Sequence, residues 1–184
     1  MPEKALIGMR VLQKRLKDEK KQLEFATELS VCEKTIRNLE QSNANPILKT
    51  LKRIAANMQK SVSSFLNLSQ SLEADLYDNY VGGDLQDISA EIATLSLWLQ
   101  VFLRFSGETQ QSFSEHSGVC LDTVNRLIRK LPSCNPTLST LQSFAAYMSV
   151  TVSELLDTTL SETDMEKLLA ERLGAILPAA SRWR

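Results

Sequence analysis

Glu33, Lys34, Arg37 and Asn38 fall at i, i+1, i+4 and i+5, so on a helix they share one polar face. They supply two cationic donors, a carboxylate acceptor and an amide that both donates and accepts. Such a set can address phosphate oxygens and the donor–acceptor pattern of base edges. Other groupings carry less. His116 is the one histidine and no nucleophile accompanies it by motif, so a surface or capping role outweighs general-base work. Six glycines form no phosphate-cradling loop. Cys32, Cys120 and Cys134 are too few and too scattered for a disulfide framework, and a single histidine argues against a zinc set. Reduced thiols follow. Cys32 and Cys120 each precede a helix, where a thiol pKa can fall. Capping or packing is the default for both, and redox sensing the alternative. No catalytic residues, cofactor or metal are expected.

The polar face needs a scaffold, and Gln22 to Glu40 supplies one, QLEFATELSVCEKTIRNLE. Phe25, Ala26 and Leu29 mark the apolar side of one short helix. Val31, Ile36 and Leu39 mark a turn and a second helix, the period breaking after Leu29 and restarting near Glu33. Ala26 is small where the helices cross, and Ser30 sits at the turn. This is the plan of a helix-turn-helix, whose second helix enters the DNA major groove. The segment from Ile7 to Leu66 resembles the Cro/repressor-type (XRE) helix-turn-helix family of bacteria and their phages. The resemblance rests on Gly8, Arg15, Gln22, Ala26, Val31, Ile36, Leu39, Glu40, Asn45-Pro46 and the ending Ser61-Val62-Ser63-Ser64-Phe65-Leu66. It implies a five-helix all-α domain with an Arg15–Glu40 pair tying the first helix to the third. It implies Glu33, Lys34 and Asn38 reading bases and Gln22 on backbone phosphate. Arg37, Ser42, Asn43 and Lys49 would hold further phosphates, with Cys32 and Thr35 completing the DNA-facing set. Ser30 replaces the family's usual turn glycine, and Cys32 its usual Ser or Thr cap. Neither departure removes the fold.

Net charge is only −1 over 184 residues, yet charge is unevenly spread. Residues 1–66 carry 13 basic and 7 acidic side chains, and residues 67–94 carry 6 acidic and none basic. Residues 95–156 balance at 4 and 4, and residues 157–184 carry 4 basic and 5 acidic. Only the first segment has the electrostatics of a phosphate-facing surface. The N-terminus, MPEKALIGMR, has no apolar secretion core. The most apolar run, Leu95 to Phe105, spans 11 residues, short of the ~20 that cross a bilayer. The expectation is a cytoplasmic, nucleoid-associated protein with no membrane partner.

In order, the spacing predicts helices over 5–18, 22–29, 33–40 and 47–57, then a short one from Ser61 to Leu66. Ser71 to Tyr80 can form a helix that Gly82-Gly83 breaks. Another begins near Leu85, capped by Asp84 or Asp87, and runs to about Phe105. The pattern then returns. Gln110, Phe113, Val119-Cys120, Thr123 and Leu127 match Gln22, Phe25, Val31-Cys32, Thr35 and Leu39 at an offset of 88. After a two-residue insertion, Asn135-Pro136, Leu138, Leu141, Ala145-Ala146, Met148 and Val152-Ser153 match the first copy at 90. A repeat this long signals two tandem domains. Arg15 and Glu40 become Leu103 and Ile128, an apolar replacement that changes both partners together. The polar face becomes Leu121, Asp122, Asn125 and Arg126. DNA contacts by this copy, if made, would come from Gln110, Leu121, Asp122, Asn125, Arg126, Arg129 and Lys130. The alternative is a retained fold used for dimerisation or a protein partner.

A last helix over 161–177 opens on a capping box, Ser161-Glu-Thr-Asp164. Its stripe of Met165, Leu168, Leu169, Arg172, Leu173 and Ile176 packs on its own domain or on a second chain. The fold class is therefore all-α: domains at 1–66 and 86–157, an acidic helical linker at 67–85, and a C-terminal helix and tail at 158–184. The function expected is sequence-specific binding of double-stranded DNA by a homodimeric transcriptional regulator. The second copy would pair with itself while two first copies read a palindrome. The rival is a protein-interaction module, antitoxin-like or adaptor, with the second domain or C-terminal helix as its surface. RNA is disfavoured because side chains enter the A-form major groove poorly.

Overall fold

Apolar side chains at helical spacing, separated by residues that end helices, give a chain whose regular elements are all helical among the described residues. The structure is a computed structural model and describes residues 2–67, 69 and 87–174. It divides into two compact units, Met1–Ile88 and Ser89–Arg184. The first holds α1 (Pro2–Lys17), α2 (Gln22–Glu28), α3 (Glu33–Glu40), α4 (Leu48–Asn57) and α5 (Val62–Leu66). The second holds α6 (Ser89–Ser106), α7 (Gln110–Ser117), α8 (Leu121–Ile128), α9 (Leu138–Met148), α10 (Val152–Leu155) and α11 (Glu162–Leu173).

Two boundaries differ from the periodicity. Helix α1 starts at Pro2 rather than residue 5, since proline suits a first turn where its missing N–H is not needed. Helix α6 starts at Ser89 rather than near Leu85, with Asp87 and buried Ile88 in non-helical backbone before it. The helix expected over 71–80, its glycine break, the Asp84 cap, Ile176 and the C-terminal tail lie outside the described residues.

The core of the first unit is Ile7, Val11, Phe25, Ala26, Ile36, Leu39, Leu48, Leu51, Ile54, Val62 and Phe65, all buried. Helix α1 crosses α3 so closely that a Cβ on Gly8 would stand 2.5 Å from the Leu39 carbonyl oxygen. The matching Ser96 of the second unit donates to the Ile128 carbonyl at 3.3 Å. Arg10 is buried and donates through its guanidinium to the Phe65 carbonyl and, at 3.1 Å, to that of Asn67. Trp98, its counterpart, sends its indole N–H to the Glu154 carbonyl at 3.2 Å. Both thus anchor the unit's long first helix to the short helix near its end. Phe102, Phe113, Phe144 and Tyr147 form an aromatic cluster in the second unit, with ring centroids 5.2 to 5.5 Å apart.

Helix ends repeat as well. Glu19, Ser30, Ser42 and Gln59 are left-handed, as are Gly107, Gly118, Lys130 and Ser149. Each of the second set follows its partner by the sequence offset, 88 or 90. After α2 the Ser30 N–H donates to Thr27 and the Val31 N–H to Ala26, a Schellman closure around a left-handed residue. Ser42 and Asn43 close α3 in the same way, onto Leu39 and Asn38.

Helix α11 has no counterpart among the described helices of the first unit. It packs on α6 of its own unit, burying Met165 and Leu169. Its Ser161–Asp164 capping box is formed. Arg172 clasps the Glu154 carboxylate at 2.6 and 2.8 Å.

Candidate nucleic-acid interface

Helix α3 buries Ile36 and Leu39 and turns Lys34 and Arg37 to solvent, with Glu33 and Asn38 half-exposed. Two features hold that face in place. One is the turn before it, where Arg53 of α4 donates to the carbonyl of left-handed Ser30 at 3.0 Å. The other is a knot beneath its last turn. Arg15 Nε and Nη2 donate to the Glu40 carboxylate at 2.6 and 3.2 Å, and Arg15 Nη1 donates to the Lys20 carbonyl at 3.0 Å. Gln22 Nε2 donates to the same carboxylate at 2.6 Å. The Glu40 side chain, only 8% exposed, therefore ties together the end of α1, the start of α2 and the end of α3. Its hydrogen bonds and charge hold the Arg15 pKa above its ordinary value against the effect of burial.

Not every expected contact residue lies open on this face. Gln22, read as a phosphate contact, is committed through its amide to Glu40. Ser42 is half-buried, its N–H donating to Leu39, and its hydroxyl lies on the α1 side, 3.1 Å from where a Cβ of Gly8 would stand. Asn43 is exposed while its backbone N–H serves α3. Lys49 is half-buried in the first turn of α4. Cys32 is the exposed N-terminal flank of α3, its sulfur 3.0 Å from the Thr35 hydroxyl. Hydrogen bonding by Thr35 draws the thiol below its ordinary pKa. Arg37 pairs with Glu33 at 2.7 Å, both well exposed. Such a surface pair contributes about 0–1 kcal/mol and opens readily for another partner. Arg53, which steadies the turn, was missed in the sequence. Its spacing of four from Lys49 on α4 was the available signal.

The corresponding face of α8 is built differently. Arg126 is turned back to the following loop, donating to the Ser133 carbonyl at 2.8 Å and hydroxyl at 3.0 Å. Asp122 lies 3.7 Å from it. Leu121, Asp122, Arg129 and Lys130 are exposed. Where the first unit has its Arg15–Glu40–Gln22 knot, the second has Leu103, Ile128 and Gln110. Here an open concavity of about 610 Å³ is lined by Leu103, Glu108, Thr109, Gln110, Gln111, Leu121 and Asn125.

A serine, a histidine and a glutamate do meet in this unit without forming a relay. Ser112 Oγ lies 3.3 Å and Glu108 Oε1 3.8 Å from the same nitrogen of His116, Nδ1. A relay needs the two partners on opposite ring nitrogens. Glu108 instead accepts the Tyr147 hydroxyl at 2.6 Å. Burial, reinforced by that bond and the carboxylate charge, pushes the Tyr147 pKa up to about 12. Among the described residues no three His, Cys, Asp or Glu side chains gather as metal ligands would, and no helix is long and apolar enough to cross a membrane.

Comparison with protein-family models, with curated proteins and with solved structures returns no match.

Proposed function

We propose that the chain is a sequence-specific DNA-binding transcriptional regulator, built from two tandem helix-turn-helix domains of the Cro/repressor type. The observation that carries this reading is the α3 face. Exposed Lys34, half-exposed Asn38 and an easily opened Glu33–Arg37 pair lie on a short helix whose turn and last residue are fixed from below. Lys34 donates to guanine, Asn38 pairs with adenine and Glu33 accepts from cytosine. Arg37, Asn43 and Lys49 hold phosphates and set the register. Gln22 positions the helices through Glu40. The regulator acts in the cytoplasm, at the nucleoid, as a homodimer in which two first units read an inverted repeat.

The second unit supports a different role for the same fold. Arg126 is engaged by Ser133, Asp122 stands exposed, and an apolar-edged concavity replaces the ionic knot. That surface suits a protein partner better than a phosphate backbone.

Selection of bound duplexes from a random pool by the full chain tests the reading. Inverted half-sites about 10 base pairs apart are the expected outcome. Failure to enrich any sequence at moderate salt would refute DNA reading and leave the interaction-module alternative.

A further inference from the structure

We infer that the concavity of the second unit is a socket for an arginine side chain carried by a protein partner. The inference rests on the protein-partner reading of that unit given above and is independent of DNA reading by α3. In the first unit the same place is filled from within. Arg15 lays its guanidinium there, on the Lys20 carbonyl at 3.0 Å and on the Glu40 carboxylate, which also accepts from Gln22. In the second unit Leu103 replaces Arg15 and Ile128 replaces Glu40, while Glu108 stands where the first unit has Lys20. The internal arginine is gone and a carboxylate has arrived. Arg15, Lys20 and Glu40 together carry +1, whereas Leu103, Glu108 and Ile128 carry −1.

The groups around the concavity are acceptors short of donors. Glu108 lines it with a side chain 23% exposed. Its Oε1 accepts the Tyr147 hydroxyl at 2.6 Å, and His116 Nδ1 stands 3.8 Å from the same oxygen, beyond hydrogen-bond distance. Its Oε2 is buried and has no hydrogen-bond partner among the described residues. Gln110 and Asn125, both half-buried on the lining, make no side-chain hydrogen bond among the described residues either. The amide matching Gln110, that of Gln22, is held by Glu40, and Ile128 offers no such acceptor. A carboxylate so enclosed calls for a cation or further donors. A guanidinium brings five N–H groups in one plane, enough for the carboxylate and the two amide oxygens. Its methylene stem has Leu103 and Leu121 to lie on. About 610 Å³ admits the whole side chain. Glu108 repels a phosphate, and a purely apolar occupant would leave the carboxylate and both amides unpaired.

Titration of the full chain without DNA, followed by NMR of its side-chain amides, tests this. The probe is N-acetyl-arginine amide, up to ~10 mM, about ten times the dissociation constant of order ~1 mM expected for so small a ligand. The Gln110 and Asn125 NH₂ signals should shift and saturate. Glu108→Gln, which still offers the Tyr147 hydroxyl an acceptor, should raise the dissociation constant at least ~10-fold. Leu103→Arg, which returns the arginine of the first unit, should block the probe while circular dichroism stays helical. N-acetyl-lysine amide, a point charge without the fork, should bind more weakly. No saturable shift, an equal response to the lysine probe, or binding that survives both substitutions would overturn the inference. A response to N-acetyl-norleucine amide alone would discard the arginine and keep an apolar partner contact. As no DNA is present, each of these failures is distinct from a failed duplex selection, which would overturn the DNA reading instead.

Discussion

Removing Glu40 should cost more than removing Glu40 and Arg15 together. The Glu40 carboxylate accepts from Arg15 at 2.6 and 3.2 Å and from Gln22 at 2.6 Å, with the two ionic side chains 14% and 8% exposed. Glu40→Ala leaves the Arg15 guanidinium nearly buried beside one carbonyl, a situation that costs about 3–5 kcal/mol when burial is complete. Residual solvent access brings the expectation to about 2–3 kcal/mol. Arg15→Leu with Glu40→Ile installs what the second unit has at Leu103 and Ile128. Replacing a buried pair by apolar residues is often neutral or stabilising, and Gln22 loses one acceptor worth ~1 kcal/mol. The double variant should therefore lie within about 1 kcal/mol of the parent. In a unit of this size 1 kcal/mol moves Tm by about 4–8 °C, so Glu40→Ala should melt roughly 10–20 °C lower. Trp98 is buried in the second unit and the first unit holds no tryptophan, so Trp98 fluorescence follows the second unit while circular dichroism follows both. The loss should appear in the dichroism and not in the fluorescence. Equal costs for the single and double variants would refute the claim that the pair is replaceable only as a pair.

Four further outcomes are expected. Gly8→Ala should destabilise by about 1–3 kcal/mol in chemical denaturation, since its Cβ meets backbone of α3 at 2.5 Å. Ser30→Gly should stabilise by about 0.5–1 kcal/mol by relieving a left-handed serine at φ 51°. Asn38→Ala should cost about 1–3 kcal/mol at one base position, while Lys49→Ala should weaken all duplexes alike and flatten the salt slope by about 1. Competition binding against single-base variants at several salt concentrations separates the two. Burial opposes ionisation of Glu154, but Arg172 and the Thr151 N–H and hydroxyl outweigh it and hold its pKa below the ordinary value. A depressed carboxylate stabilises above its unfolded pKa of ~4.3 and loses that contribution as pH falls through the folded value. Acid titration of Trp98 fluorescence should show this loss below pH ~4.3, and Arg172→Met should abolish that step.

Helix positions were legible because each core residue recurs at 3.6-residue spacing, and the repeat was legible because Gln22, Phe25 and Cys32 return as Gln110, Phe113 and Cys120. The Arg15–Glu40 pair was implied only by the family resemblance, and its geometry agrees. Less visible were the ends. The left-handed state of Glu19, Ser42 and Gln59 follows from closure bonds set by the next helix's direction, which a residue's own propensity opposes. The bond from Gln22 to Glu40 was not visible, because a side chain at a helix start suits a phosphate or a carboxylate equally well. Its choice of Glu40 depends on a residue 18 positions away. The turning of Arg126 toward Ser133 depends likewise on a loop path that the spacing of α8 does not encode.

The charge balance of the first unit also reads differently once its partners are known. Of the 13 basic residues up to position 66, Arg10 is buried on carbonyls, and Arg15, Lys14 and Lys20 are paired with carboxylates within the unit. Arg53 serves the turn. Several of these cations are thus structural, though the three ion pairs leave the basic excess itself unchanged, and Lys34 is an exposed cation on the α3 face. Each neutralised phosphate contributes only about −0.9 to the salt slope, so a single unit with few such contacts is a weak binder. The second unit, electrically balanced over 95–156 and with Arg126 engaged, adds little of the missing attraction. On the proposed DNA-binding reading, affinity for a defined site therefore comes from two first units on one duplex, where two half-sites raise the local concentration of the second copy.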